Sequence, residues 1–204
     1  RIICFCPRRR SPLFPSSTLF RSVLAQEILP FITEVPVFVA GGIGRGETIV
    51  SYLEMGAAGV QLGTRFVCAT ECIAHENFKK AFIRASARDA VSTTQIDPRF
   101  PVIPVRAIVN KGTEEFMATQ RRMIEKVDAG ELEQAAAQLE IEHFWAGALR
   151  RAVIEGDVEG GSLMAGQIVG TVKSEQPMAE IFSELVGQAV DALRGRQEIG
   201  RAHV

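Results

Sequence analysis

Apolar positions change period along this chain, and each change predicts an element. Between Val23 and Thr33 they fall at 23, 24, 28, 31 and 32, close to helical spacing, with Pro30 disturbing the last turn. Val35 to Ala40 is a continuous apolar, β-rich run that ends in Gly41-Gly42. That pattern predicts a parallel strand buried on both faces, with its ligand end at the glycines. Thr48 to Met55 predicts a helix, Gly56 its stop, and Ala58-Gly-Val-Gln-Leu62 a second short buried strand closing on Gly63-Thr64. Strand, helix and strand make one βαβ unit.

After Thr64 the pattern turns helical. Helix is expected around 74–87, an extended Pro-rich segment at 98–105 and a long polar helix from about 113 to 139, with no further parallel strand. Ile141, Phe144, Trp145, Ala148, Leu149, Ala152 and Val153 form one stripe of a helix that Gly156 stops. Pro177 opens a last helix, in which Met178, Ile181, Phe182, Leu185, Val186, Ala189, Val190 and Leu193 repeat the spacing. Stripes of this kind read as core faces of scaffold helices.

Composition narrows the function classes. With 47% hydrophobic and 23% charged residues in 204, the chain has the make-up of a globular protein, not of a disordered or fibrous one. A net charge of −1 provides no overall field for nucleic acid or anionic lipid, so neither is an expected partner and function must reside in a local site. No run approaches the ~18–20 apolar residues of a membrane span. The four cysteines form no C-x-x-C pair and no even framework, which points to a reducing cytoplasm and away from a zinc site.

The ends differ from the middle. Residues 1–22 hold five Arg, no acid and three Pro, so they carry +5 of a chain whose total is −1. An organelle transit peptide would have its helix interrupted by Pro7, Pro12 and Pro15. Thr18-Leu-Phe-Arg-Ser22 and Glu198-Ile-Gly-Arg-Ala-His-Val204 look like translated adapter DNA. Residues 1–22 and 196–204 are therefore expected to be non-native, with the protein proper running from about Val23 to about Gly195, and no role is expected of Cys4, Cys6 or His203.

The chemistry-bearing stretch is Val37 to Phe66, where two successive strands each end in a glycine turn about twenty residues apart. Glycine lets backbone N–H groups approach an anion without a Cβ in the way. In (β/α)8 barrels the loops after strands seven and eight commonly bind phosphate. Gly41, Gly42, Gly63 and Thr64 are the phosphate candidates, the Thr64 hydroxyl adding a donor. One such turn alone is as well explained by tight turning or close packing; two in register favour the phosphate.

Ala40-Gly-Gly-Ile-Gly44, Gly56-Ala-Ala-Gly-Val-Gln-Leu-Gly-Thr-Arg-Phe66, Ala74-His75 and Gly161-Ser-Leu-Met-Ala-Gly-Gln167 together resemble the nitronate monooxygenase (2-nitropropane dioxygenase) family, which includes flavin-dependent enoyl-acyl-carrier-protein reductases. The resemblance covers about residues 23–193. It implies an α/β fold, here the carboxy-terminal fragment of a (β/α)8 TIM barrel: its last βα units over 23–90, a mainly helical inserted domain over 91–160, and helices returning to the barrel over 161–195. It also implies FMN as cofactor, contacted at the positions matching Gly41, Gly42, Gln61, Leu62, Gly63 and Thr64, and a small-molecule substrate, nitronate or enoyl thioester. A homodimer is left open.

One departure bears on activity. The family's catalytic histidine, in a Gly-Gly-His turn about ten residues before the Leu-x-Pro of the family's helix entering strand seven, has no counterpart in Pro12 to Ser22. It is expected upstream of this chain, together with the first six strands, so no catalytic residue is assigned here and the chain alone is expected to be inactive. A short non-enzymatic protein with a relic phosphate site is the competing reading. His75 is expected to cap or lie at the surface, His143 to be solvated, and Cys68 and Cys72 to be small hydrophobes. Arg106 is expected in a structural ion pair, Ser162 and Gln167 near the pocket, and Glu114, Glu115, Glu131 and Glu133 on solvated faces.

Overall fold

The structure is a computed structural model that describes residues 21–102 and 104–202. The predicted leader lies almost wholly outside the described residues, as do Cys4, Cys6 and His203. In order along the chain come α1 (Arg21–Ile28), β1 (Phe38–Ala40), α2 (Gly46–Glu54), β2 (Gly59–Gln61), α3 (Thr64–Val67) and α4 (Glu76–Arg84). Then follow β3 (Ala90–Ser92), β4 (Arg106–Ile108), α5 (Lys111–Asp128), α6 (Gln134–Trp145), α7 (Ala148–Val153), a 3-10 turn over Gln167–Thr171 and α8 (Met178–Ala202). Two compact units divide at Glu71/Cys72 and at Glu175/Gln176.

The first unit contains the predicted βαβ. β1 and β2 pair in parallel, with Phe38 opposite Gly59, Val39 opposite Val60 and Ala40 opposite Gln61. Ala25 and Leu29, on and just after α1, join Ile43, Tyr52 and Ala57 in a core against which Val37, Val39, Ile49, Val60 and Leu62 pack. Gly56 ends the α2 turn at φ +101°, as its place in the sequence predicts. The strands are not buried on both faces as expected. Each is three residues long with only the other as ladder partner among the described residues, and Phe38 is 46% exposed. Its ring lies across Gly59, where an added Cβ would come within 2.6 Å of it.

The long last helix is present as α8, but its predicted stripe is mostly uncovered: Ile181 and Leu185 are buried and Ala189 half-buried, whereas Met178, Phe182, Val186, Val190 and Leu193 are exposed.

The second unit is mainly helical and departs from expectation in three places. The extended segment expected at 98–105 lies between the strands of an antiparallel pair that was not expected, with Ala90 opposite Ile108 and Ser92 opposite Arg106. The Thr93 hydroxyl accepts the Val105 N–H at 2.9 Å and closes that pair. The polar helix expected over 113–139 is two helices, because Gly130 turns the chain at φ +73°. The single striped helix expected through Val153 is also two, broken by Gly147 at φ +78°. α5 starts earlier than predicted because Asn110 and Thr113 form a reciprocal capping box. The Asn110 Nδ2 group also donates to the Val158 and Gly161 carbonyls, both at 2.8 Å. Phe100, Phe116, Met123, Ala137 and Ile141 make the core between α5 and α6. Leu149, counted in the buried stripe, is 41% exposed.

Candidate functional site

The parallel register places the two glycine turns side by side. Ala40 and Gln61 are opposite each other, so Gly41-Gly42 and Leu62-Gly63 leave the same end of adjacent strands, about 4.8 Å apart at the ladder. Gly41 and Gly42 both have positive φ, +89° and +72°, a conformation that L side chains rarely adopt. An added Cβ at Gly42 or Gly63 would meet nothing within 4 Å. Neither glycine N–H has an acceptor among the described residues. Open space and uncommitted donors at two adjoining turns fit a phosphate group.

The other expected contact residues take distinct places. Gln61 is exposed at the end of β2, Thr64 is half-buried at the start of α3, and Leu62 packs against the core of its unit. α3 is held firmly. The Arg65 guanidinium is 5% exposed and donates from Nη2 to Gln176 Oε1 at 2.9 Å and to Glu184 Oε2 at 2.6 Å, while the Phe66 ring meets Phe182 at 5.1 Å. Sequence reasoning passed over Arg65; the signal was a lone Arg directly behind the turn, in a segment otherwise apolar. Beside the first turn, the Arg45 guanidinium donates twice to Glu47 and holds its carboxyl below the usual carboxylate range.

The remaining candidates serve structure. His75 is the N-cap of α4, its Nδ1 accepting the Asn77 N–H at 3.1 Å. His75→Ala is therefore expected to cost about 1 kcal/mol in urea unfolding and His75→Asn far less; equal losses for the two would remove the capping role. Contrary to the ion pair expected of it, Arg106 makes none among the described residues and donates instead to the Ala90 carbonyl at 2.7 Å across the β3–β4 pair. His143 and the four glutamates at 114, 115, 131 and 133 are exposed. Cys68 is buried, Cys72 half-buried, neither is in a disulfide, and no cluster of metal-ligating side chains occurs among the described residues. Ser162 is buried, its hydroxyl without a hydrogen-bond partner among the described residues, and Gln167 is exposed. No helix among the described residues is long and apolar enough to cross a membrane.

Known proteins are similar to this chain in sequence and in fold. A nitronate monooxygenase of Paraburkholderia phytofirmans is 28% identical over 163 residues, covering 78% of this chain and 40% of its own. A probable nitronate monooxygenase of Staphylococcus aureus is 28% identical over 123 residues, covering 57% of this chain and 34% of its own. Among solved structures, FabK from Thermotoga maritima superposes with a TM-score of 0.72 at 26% identity, over 89% of this chain and 52% of that one. Nitroalkane oxidase from Streptomyces ansochromogenes gives 0.60 at 27% identity, over 86% and 44%. The chain thus spans 34–40% of these two curated relatives and about half of the two solved structures. Residues 20–188 match the nitronate monooxygenase family, and with the paired glycine turns in place the chain belongs to that family.

Proposed function

We propose that residues 21–71 contribute the last two βα units of a TIM barrel and that their paired turns hold the phosphate of FMN. The observation that carries this reading is the register: two parallel strands end together in glycine turns whose Cβ positions open onto empty space. Backbone N–H groups of Gly41, Gly42 and Gly63 and the Thr64 hydroxyl would donate to the phosphate, with Gln61 beside them. The chemistry such a cofactor would supply is the transfer of electrons from an alkyl nitronate to dioxygen. This chain's own part is binding and orientation. His75 is committed to its cap and His143 to an exposed helix face, so neither is assigned as a base.

The site reading is tested by titrating the isotopically labelled chain with FMN and with riboflavin. FMN is expected to shift the amides of Gly41, Gly42, Gly63 and Thr64, and riboflavin, which lacks the phosphate, to leave them in place. Gly42→Val puts a β-branched residue at φ +72° and is expected to weaken the FMN response about tenfold or more. Equal shifts by the two flavins, or none by FMN, would dismiss the site.

A second reading, reduction of an enoyl thioester by reduced flavin, is supported by the Gly161–Gln167 segment, which resembles that of flavin-dependent enoyl-acyl-carrier-protein reductases. Oxygen consumption with an alkyl nitronate supports the first reaction, and NADH consumption with a crotonyl thioester the second, when each is assayed on a full-length, flavin-loaded enzyme that carries this segment.

A further inference from the structure

We propose that Glu184 and Gln188 of α8 are positioning residues that set the spacing of the two glycine turns for a phosphate monoester. The inference rests on the flavin-phosphate reading above. One continuous chain of hydrogen bonds runs along this stretch of α8. Arg65 Nη2 donates to Glu184 Oε2 at 2.6 Å, Gln188 Nε2 donates to Glu184 Oε1 at 3.1 Å, and the Gly46 N–H donates to Gln188 Oε1 at 2.8 Å. Arg65 directly follows the second turn, and Gly46 lies four residues beyond Gly42 at the start of α2. The two ends of this chain are therefore the two elements that leave the phosphate turns.

The chemistry allows only one orientation of the Gln188 amide. A carboxylate can only accept and a backbone N–H can only donate, so Nε2 must face Glu184 and Oε1 must face Gly46. Glu184 and Gln188 sit at i and i+4 and so share one helix face. Gly46 makes the close approach possible, since an added Cβ would fall 2.2 Å from the Leu185 carbonyl oxygen. The β1–β2 ladder fixes the strands but not the loops beyond them. A phosphate bound by N–H groups from both loops loses affinity when their separation drifts by a fraction of an ångström. The α8 pair, anchored through buried Arg65, supplies that missing constraint.

The test uses the labelled 204-residue chain, with FMN and riboflavin as probes and thermal unfolding followed in parallel. In the unmodified chain, the first-turn amides (Gly41, Gly42) and the second-turn amides (Gly63, Thr64) are expected to follow one FMN isotherm. Gln188→Met keeps the side-chain length but neither accepts from Gly46 nor donates to Glu184. It is expected to weaken FMN about tenfold, the scale of one hydrogen bond to a charged group, while any riboflavin shifts elsewhere stay as they were. The exchanged pair Glu184→Gln with Gln188→Glu rebuilds every bond, since Gln at 184 still accepts from Arg65 and donates to the carboxylate at 188. It is expected to restore FMN affinity to within about twofold. A packing role alone would lower the unfolding temperature of both variants without changing the preference for FMN over riboflavin. An unchanged FMN isotherm in Gln188→Met, or a folded exchanged pair that fails to recover, overturns the positioning role and leaves the flavin site standing. No FMN response in the unmodified chain overturns both.

Discussion

Gly46→Ala is expected to destabilise the chain by about 2–3 kcal/mol, although alanine is the better helix former. The added Cβ would stand 2.2 Å from Leu185 O and 2.4 Å from Ala189 N, both backbone atoms of α8. Neither can swing aside as a side chain could, so α2 and α8 would have to separate along their contact. Separation would also stretch the Gly46 N–H to Gln188 bond. Gly187, one residue before Gln188 on the same helix, supplies the opposite case: a Cβ there meets nothing within 4 Å. Gly187→Ala is expected to stabilise by about 0.5–1 kcal/mol through backbone entropy alone. Urea unfolding followed by helical circular dichroism measures both. A Gly46→Ala midpoint equal to or above that of the parent would show that the α2–α8 approach is not as close as described.

The second large effect is expected in the other unit. Phe116 is 1% exposed in the core formed with Phe100, Met123, Ala137 and Ile141, and its ring meets Phe144 at 5.7 Å. Phe116→Ala removes that contact area and leaves a cavity between two helices, for a loss of about 3–5 kcal/mol. Leu139 on α6 is 52% exposed, and Leu139→Ala is expected to stay within about 0.5 kcal/mol of the parent. A small loss for Phe116→Ala would mean that α5 and α6 collapse onto the vacated volume or do not pack through this ring.

The legible part of the fold was the part with strong punctuation. Gly-Gly after a run of valines, Gly56 after a helical stretch and Gly63-Thr64 after a second apolar run were enough to predict the βαβ and the common end of its strands. Where two residue signals competed, the reading failed. Gly130 and Gly147 sit inside plausible helical spacing, and only a positive φ of 73° and 78° makes them breaks. Glycine permits that conformation without announcing it. β3 and β4, three residues each, are too short for periodicity to register, and their pairing spans a loop of 13 residues between Ser92 and Arg106.

The site divides the same way. Gly41 and Gly42 were recognisable as turn residues because glycine is the residue that adopts positive φ without strain, and both do; their place with Gly63 at a phosphate is the reading proposed above. Glu184 and Gln188 were not recognisable, since a Glu/Gln pair on a helix occurs on any solvated surface, and Arg65 was marked only by its apolar neighbours. Arg106 shows the converse: its charge suggested a carboxylate partner, and the neighbouring strand supplied a carbonyl.

The sequence by itself determined the local events of this protein: where strands stop, which glycines free the backbone, and which family the motifs resemble. Those depend on φ, on Cβ sterics and on short-range periodicity, all encoded within a few residues. Only the tertiary structure decided which side chains meet across more than a hundred residues. Arg65 with Glu184, and Gly46 with Gln188, are brought together by the path of the chain and by the absence of a Cβ at Gly46. No local pattern carries that information, because each partner alone would be equally stable in water.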